Sequence, residues 1–374
     1  MNIKTSGFKC DRSTWKTVRL GEVGDFFKGH GVTMKDTCVT GVPCTMYGDI
    51  YVKYGIIFEQ VDYFLPAEKA KKAFKGQYGD LLFTASGETA EEIGKCAGYF
   101  GNNEICIGGD IIVLRPYECY DSLFLSYLCN SPECIRQKAA MGQGDAVVHI
   151  KTDNIQNISL SLPESKEKQK RIASALSSID IQIATIKKLL SKYESIKKAT
   201  VKLLMMPGDN WKQYRIGDVC PLQRGFDLPH SEQIPGDYPV ICSNGISGYN
   251  KTYMVKGPGV VTGRSGTIGK VHYIDGNFWP HNTTLWVTKF VNVIPRYAFF
   301  LLKEMDLAQF SGGTGVPTLN RNDIHDAIVS LPSISIQKEI VTKLAAIDSN
   351  LKEHMQELSK IQQIKQSMLR YFFG

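Results

Sequence analysis

The chain is written twice, and this repeat limits its folds more than any other feature. Trp15-Lys16-Thr17-Val18-Arg19-Leu20-Gly21-Glu22-Val23 returns as Trp211-Lys212-Gln213-Tyr214-Arg215-Ile216-Gly217-Asp218-Val219. Further on, Leu82-Phe83-Thr84-Ala85-Ser86-Gly87 is matched by Val260-Val261-Thr262-Gly263-Arg264-Ser265, and Gly94-Lys95 by Gly269-Lys270. Toward the end of each copy, Ser161-Leu162-Pro163 answers Ser330-Leu331-Pro332, and Gln169-Lys170-Arg171-Ile172 answers Gln337-Lys338-Glu339-Ile340. The offset shrinks along the repeat, so copy one carries insertions in its middle. A duplicated unit must form a core of its own, which implies two similar globules within the 374 residues.

Each copy has the same two parts. Short strand-like runs come first, such as 238–243, 259–262, 270–274 and 284–288, punctuated by Gly and Asn-Gly turns. One amphipathic helix follows, over about 121–141 in copy one and 295–310 in copy two. A long helix ends each copy, about 167–204 and 336–373. Both long helices carry heptads: Ile172, Leu176, Ile179, Ile183, Ile186, Leu190, Tyr193 and Leu204 in the first, Ile340, Leu344, Ile347, Leu351, Leu358, Ile361, Met368 and Phe372 in the second. The registers match at an offset of 168 residues, and Lys197 and Lys365 interrupt both stripes at the same place. Sustained apolar a/d spacing predicts a coiled coil, and two matched helices in one chain pair most simply with each other. At 1.5 Å per residue each is about 55 Å long. Met206-Pro207-Gly208-Asp209 reads as the linker that ends the first. The expected fold is mixed α/β (α+β): globules over 1–165 and 209–335, helices with linker over 166–208 and 336–374. The helices form an antiparallel coiled coil about a pseudo-two-fold axis, with a globule at either end.

Composition removes whole classes. No apolar run approaches the length needed to span a bilayer, and the polar start Met1-Asn2-Ile3-Lys4 lacks a secretory core, so a cytoplasmic protein is expected. The ten cysteines contain no C-x-x-C pair and read as free, mostly buried thiols with no metal role. Gly263-Arg264-Ser265-Gly266-Thr267-Ile268-Gly269-Lys270 looks like a phosphate loop, but its spacing is one residue too long and Val271 stands where Ser or Thr must hold magnesium. Glu164-Ser165-Lys166, the single carboxylate-x-Lys tripeptide, has Ser333-Ile334-Ser335 in its place in copy two and reads as a helix start. G-x-G-x-x-G, H-E-x-x-H and G-x-S-x-G are absent. The chain reads as a binder without an active site; a nuclease or methyltransferase in its own right and a scaffold that binds only protein are the alternatives.

The polar turns indicate what is bound. In copy two they are Ser243, Asn244, Tyr249 and Lys251; Arg264, Ser265, Thr267 and Lys270; and His281, Asn282 and Thr283. Asn and Arg pair with base edges, Ser, Thr and Lys reach bases or phosphates, and glycines let backbone N–H groups approach phosphate. The corresponding stretches of copy one hold Tyr47, Ser86, Glu88 and Lys95. Similar frames with different tips suit two readers of two different sequences. The net charge of +7 is unevenly spread. Residues 1–165 have 17 basic and 20 acidic groups, 166–208 have 10 and 3, 209–335 have 11 and 10, and 336–374 have 6 and 4. The globules are nearly neutral, so any grip on a polyanion rests on local patches, such as Lys69, Lys71, Lys72 and Lys75, or on a partner.

Taken in order, these features resemble the specificity subunit of type I restriction–modification systems. The likeness rests on the two Trp openings, Val261 to Lys270, Phe278-Trp279-Pro280-His281-Asn282-Thr283-Thr284, and the Leu-Pro and Gln-Lys signatures before both long helices. Copy one lacks the Arg-Ser-Gly-Thr-Ile and Trp-Pro-His-Asn strings. The resemblance implies two target recognition domains, each reading half of a bipartite, asymmetric site in double-stranded DNA across a spacer set by the helices. It implies two modification subunits, up to two restriction subunits, and no cofactor in this chain. S-adenosylmethionine, ATP and magnesium belong to the partners, which methylate adenine and cleave. No membrane is involved.

Overall fold

A computed structural model describes residues 12, 13, 15–144, 147–312 and 318–374. Two compact units divide the chain: Met1–Thr185 with Leu358–Gly374, and Ile186–Glu357. Both long helices, Lys166–Leu204 and Ile334–Phe373, pass from one unit into the other.

Unit 1 has a sheet with strand order Gly24–Lys28, Ile111–Pro116, Leu81–Thr84, Cys96–Tyr99, Ile57–Phe58, antiparallel up to its last, parallel pair. A smaller sheet runs Tyr63–Leu65, Val42–Thr45, Ile105–Ile107, Phe74–Gly76. Unit 2 repeats the plan. Its main sheet is Leu222–Arg224, Thr284–Val287, Gly259–Gly263, Val271–Ile274, and its smaller sheet is Gly245–Asn250, Tyr238–Cys242, Trp279–Pro280. The strands extending the sheets of unit 1, Ile57–Phe58 and Phe74–Gly76, lie at sheet edges, where an insertion disturbs least. Each Trp opening is a strand paired with the Leu-Pro strand of its own copy, Trp15–Arg19 with Ser159–Pro163 and Lys212–Arg215 with Ile328–Leu331.

Copy one departs from the single helix expected over 121–141. Two helices form, Ser122–Leu128 and Pro132–Met141. Pro132 has no N–H to continue the first, and the Ser131 hydroxyl accepts the Cys134 N–H at 3.3 Å to start the second. Copy two keeps one helix, Pro295–Glu304, followed by a short 3₁₀ turn.

The long helices enter both cores. Leu176, Ala173 and Phe373 join Phe124, Leu125 and Leu81 in unit 1, while Leu344, Ile340 and Val201 join Tyr297, Leu302 and Leu285 in unit 2. Inside each unit the two helix segments run antiparallel. In unit 2, Tyr193 packs on His354 and Lys197 pairs with Asp348. In unit 1, Asp180 pairs with Lys365, and Ile172 lies in the cluster holding Met368 and Phe372. The lysines that interrupt the stripes are thus ion-pair partners across the helix pair, and the two aspartates share the offset of the two lysines. Of the remaining seam residues Leu176, Ile186, Ile340 and Leu344 are buried; Ile172, Ile179, Ile183, Leu190, Ile347, Leu351, Leu358 and Ile361 are half-buried, as the flanks of a two-helix seam must be.

Before each long helix a buried glutamine ties the chain together. Gln169 accepts the Asp121 N–H at 2.9 Å and donates to the Pro163 carbonyl at 2.8 Å. Gln337 accepts the Ile294 N–H at 2.9 Å and donates to the Asn292 and Pro332 carbonyls at 2.8 and 3.0 Å. The repeated Gln is therefore an internal clamp holding strand, short helix and long helix. Glu164-Ser165-Lys166 is a helix start as expected, with the Lys168 N–H donating to the Ser165 hydroxyl at 3.4 Å.

Candidate nucleic-acid interface

In unit 2 three strand ends bring the polar turns to one place. The strand Tyr238–Cys242 delivers Ser243, Gly259–Gly263 delivers Arg264 to Lys270, and Trp279–Pro280 delivers His281 to Thr283. The Thr283 carbonyl accepts the Arg264 and Ser265 N–H groups at 2.8 and 3.2 Å, and the His281 N–H donates to the Ile241 carbonyl at 2.9 Å. A methyl group on Gly263 would stand 1.9 Å from the Thr267 carbonyl and 3.0 Å from the Ser243 Cβ, so only glycine allows this convergence. Gly266, at φ +76°, turns the loop through a left-handed conformation that favours glycine.

The side chains then separate into three groups. Ser243, Arg264, Ser265 and Thr267 occupy the convergence. The half-exposed Arg264 guanidinium makes no hydrogen bond or ion pair with any described residue. His281 and Thr283 bond each other at 3.2 Å, and burial holds the His281 pKa below its usual range. A second group braces the frame. Lys270 donates to the Asn244 carbonyl at 2.9 Å, and the Asn282 amide donates to Asp227. His272 contacts the Ser243 carbonyl at 3.3 Å, and burial lowers its pKa too. A third group stands apart. Tyr249 and Lys251 lie four and six residues beyond Gly245 along the hairpin, about 13–20 Å from its turn at the rise of a strand. Both are exposed.

Unit 1 builds the same frame from different residues. The Ala85 N–H donates to the Asp110 carbonyl at 2.8 Å, as Arg264 does to Thr283. Gly108 donates to Thr45 at 2.9 Å, as His281 does to Ile241. Ile150 donates to Ala85 at 2.9 Å, as Leu319 does to Arg264. Thr84 donates to Lys95 at 3.1 Å, as Gly263 does to Lys270. These bonds correct the sequence match at 82–87 by one residue. Thr84 is the counterpart of Gly263, Ala85 of Arg264 and Ser86 of Ser265. The ladders agree, because Ile111 faces Thr84 where Thr284 faces Gly263. Matching Thr84 to Thr262 would turn every side chain of the strand to the opposite face.

Other positions of the unit 1 frame carry no signal in the sequence. Gly108-Gly109-Asp110 sits where unit 2 has His281-Asn282-Thr283. His149 pairs with Ser86 where Thr318 bridges Ser265. Tyr51 supports this end of the sheet. Its hydroxyl accepts from Thr84 at 2.7 Å and donates to the Ser86 carbonyl at 2.9 Å, and burial raises its pKa. Lys95 donates to the Tyr51 carbonyl at 2.9 Å, a brace like Lys270, and desolvation lowers its pKa. Tyr47 and Glu88 are exposed. Two of the four lysines of the basic patch are paired with carboxylates, Lys69 with Asp36 and Lys71 with Glu68 at 2.7 Å, while Lys75 donates to the Cys106 sulfur at 3.0 Å, a bond that offsets no charge. Among the described residues no cluster could hold a metal, and the nine described cysteines are free. Cys44 and Cys220 are buried thiols pushed up to about 12 by burial. Among the described residues no helix is long and apolar enough to cross a membrane.

A duplicated α/β frame carrying different polar tips, with two long helices shared by both copies, defines a two-module protein. The sequence matches the family described as type I restriction modification DNA specificity domain over residues 12–195 and again over 208–365. The chain belongs to that family: it is a type I restriction–modification specificity subunit, and what it recognises is DNA sequence. It is 22% identical over 410 aligned positions to the type I restriction enzyme MjaVIII specificity subunit of Methanocaldococcus jannaschii, covering 95% of this chain and 91% of that one. The EcoprrI specificity subunit of Escherichia coli is 24% identical over 264 positions, 65% of each chain. Among solved structures, the S subunit of the type I system of M. genitalium superposes with a TM-score of 0.67 at 14% identity, over 98% of both chains. A chain from a study of type I system assembly and conformational transition gives 0.58 at 16% identity, over 97% of this chain and 98% of that one. At these identities the structures support the fold.

Proposed function

We propose that the three-turn surface of each unit reads one half of a bipartite, asymmetric DNA target, and that the paired long helices set the unspecific spacer between the halves. One observation carries the reading: the two units repeat the same backbone hydrogen bonds while the side chains mounted on them differ. A shared frame fixes how a module meets the duplex, and the tips choose the bases. In unit 2, Arg264 is the side chain suited to a guanine edge. The chain itself performs no chemistry. Two modification subunits supply S-adenosylmethionine-dependent adenine methylation, up to two restriction subunits supply ATP- and magnesium-dependent cleavage, and the complex works in the cytoplasm. The near-neutral globules fit this division, since partners then carry much of the phosphate contact.

The test is a gel shift of the complex with modification subunits on duplexes altered in one half-site at a time. Arg264→Ala should cost about 1–3 kcal/mol of discrimination in one half and leave the other intact. Equal losses in both halves would refute the assignment.

A further inference from the structure

We infer that His149 is a base-reading residue of unit 1, the residue that gives this unit a target different from that of unit 2; the inference rests on the reading above. Four backbone hydrogen bonds identify the same three-turn frame in both units, and its tips can be compared position by position. Unit 2 presents Arg264; its counterpart Ala85 has nothing that can pair with a base. The next frame position is serine in both units, Ser86 and Ser265. The strand facing that serine carries His149 in unit 1 and Thr318 in unit 2. The long polar side chain has moved from one strand of the frame to its neighbour.

The placement of His149 suits reading rather than mere solvation. Both its backbone polar groups are held by Gln143, its N–H donating to the Gln143 carbonyl at 2.8 Å while its carbonyl accepts the Gln143 N–H at 3.0 Å. The Ser86 hydroxyl meets Nδ1 at 2.9 Å, and Ser86 is itself fixed through its carbonyl by Tyr51. The ring is therefore oriented, yet the residue is exposed. In the tautomer whose Nδ1 accepts the Ser86 hydroxyl, Nε2 is the N–H and offers one directed donor, which suits the O6 or N7 acceptors of a purine edge. An oriented ring has the rotational precision a base edge requires; phosphate needs only charge within reach.

Mapping methylated adenines left by the reconstituted complex tests this. His149→Ala should make one base pair of one half-site degenerate, with discrimination there falling about 5- to 100-fold. The half-site loosened by Arg264→Ala should stay unchanged. Ser86→Ala should weaken the same base pair to a smaller degree. His149→Gln, which keeps a side-chain partner for Ser86, serves if the alanine variant folds poorly; it should change the preferred base at that position. An unaltered motif, a uniform loss at all positions as for a phosphate contact, or degeneracy in the Arg264 half-site would overturn the assignment. A wild-type complex that leaves no bipartite motif would overturn the underlying reading instead, and this assignment with it.

Discussion

Unit 1 and unit 2 are built on one frame and differ in what surrounds it. Their main sheets share the order of four strands, and unit 1 adds its extra strands at sheet edges. Eleven positions separate Thr84 from Lys95, but only seven separate Gly263 from Lys270, and the surplus lies in the loop. The glutamine clamp and the buried leucines at 176 and 344 occupy the same places in both. The additions to unit 1 thus fall at sheet edges, in loops and in the short-helix segment, while the parts that hold each globule to its helices are kept. A module built this way can alter its target without altering its mount.

The largest effects should come from the shared mount. Leu176 and Leu344 are both 0% exposed and hold equivalent seats in the two cores. Leu176→Ala and Leu344→Ala should each cost about 2–5 kcal/mol in denaturant titration. A loss from only one of them would break the equivalence. Removing the clamp comes next. Gln169→Ala and Gln337→Ala strand buried backbone groups and should cost about 1–3 kcal/mol each. Gln337 should be the dearer of the two, since it makes three bonds to the two of Gln169.

The ion pairs sharpen the comparison at a smaller scale. Without Lys197, Asp348 keeps Arg296 at 3.7 Å; without Lys365, Asp180 keeps, among the described charged and phenolic side chains, the Tyr127 hydroxyl at 2.7 Å. Both pairs are partly exposed, so each alanine variant should lose about 0.5–1 kcal/mol, with Lys365→Ala the more costly. Equal losses would mean that these second partners do not matter.

The smallest effect is one of pH and belongs to unit 2. Burial depresses the pKa of His272, His281 and His325 below 6.5, and the His325 Nε2 accepts the Leu222 N–H at 2.7 Å, a bond that needs the neutral ring. Below pH 6.5 the unfolded chain binds more protons than the folded one. Stability should therefore be full above about 6.5, fall as pH drops toward the folded-state pKa values, and flatten beneath them. Melting temperatures between pH 7.5 and 5 would show the slope. His325→Gln, whose amide oxygen can take the same N–H, should reduce it; an unchanged slope would exclude His325 as a source.

The helices, the strand runs of unit 2 and the duplicated plan were legible because each rests on local periodicity or on repeated strings. The interrupting lysines were visible as exceptions, but their aspartate partners emerge only when the helices pair. The break at Pro132 was written in Ser131-Pro132 and was overridden by the apolar spacing on both sides. The register at 82–87 went astray because residue identity favoured Thr84 with Thr262, whereas strand pairing, a long-range property, decides it. Lys95 and Lys270 read as contacts for DNA, yet each has a backbone carbonyl to hold. His149 gave no signal at all: its meaning depends on Ser86, 63 residues earlier in the chain.

On the function proposed above, two modules on one frame read separate half-sites across a gap set by the helices. The direct measurement is the map of methylated adenines in cells carrying this chain and its partners, for the native chain and for one with a heptad added to each long helix, beside Ile186 and beside Leu358. The expected result is an asymmetric bipartite motif whose two halves are identical in both maps and whose gap alone grows. A continuous motif, or a gap that stays fixed while a half-site changes, would contradict it.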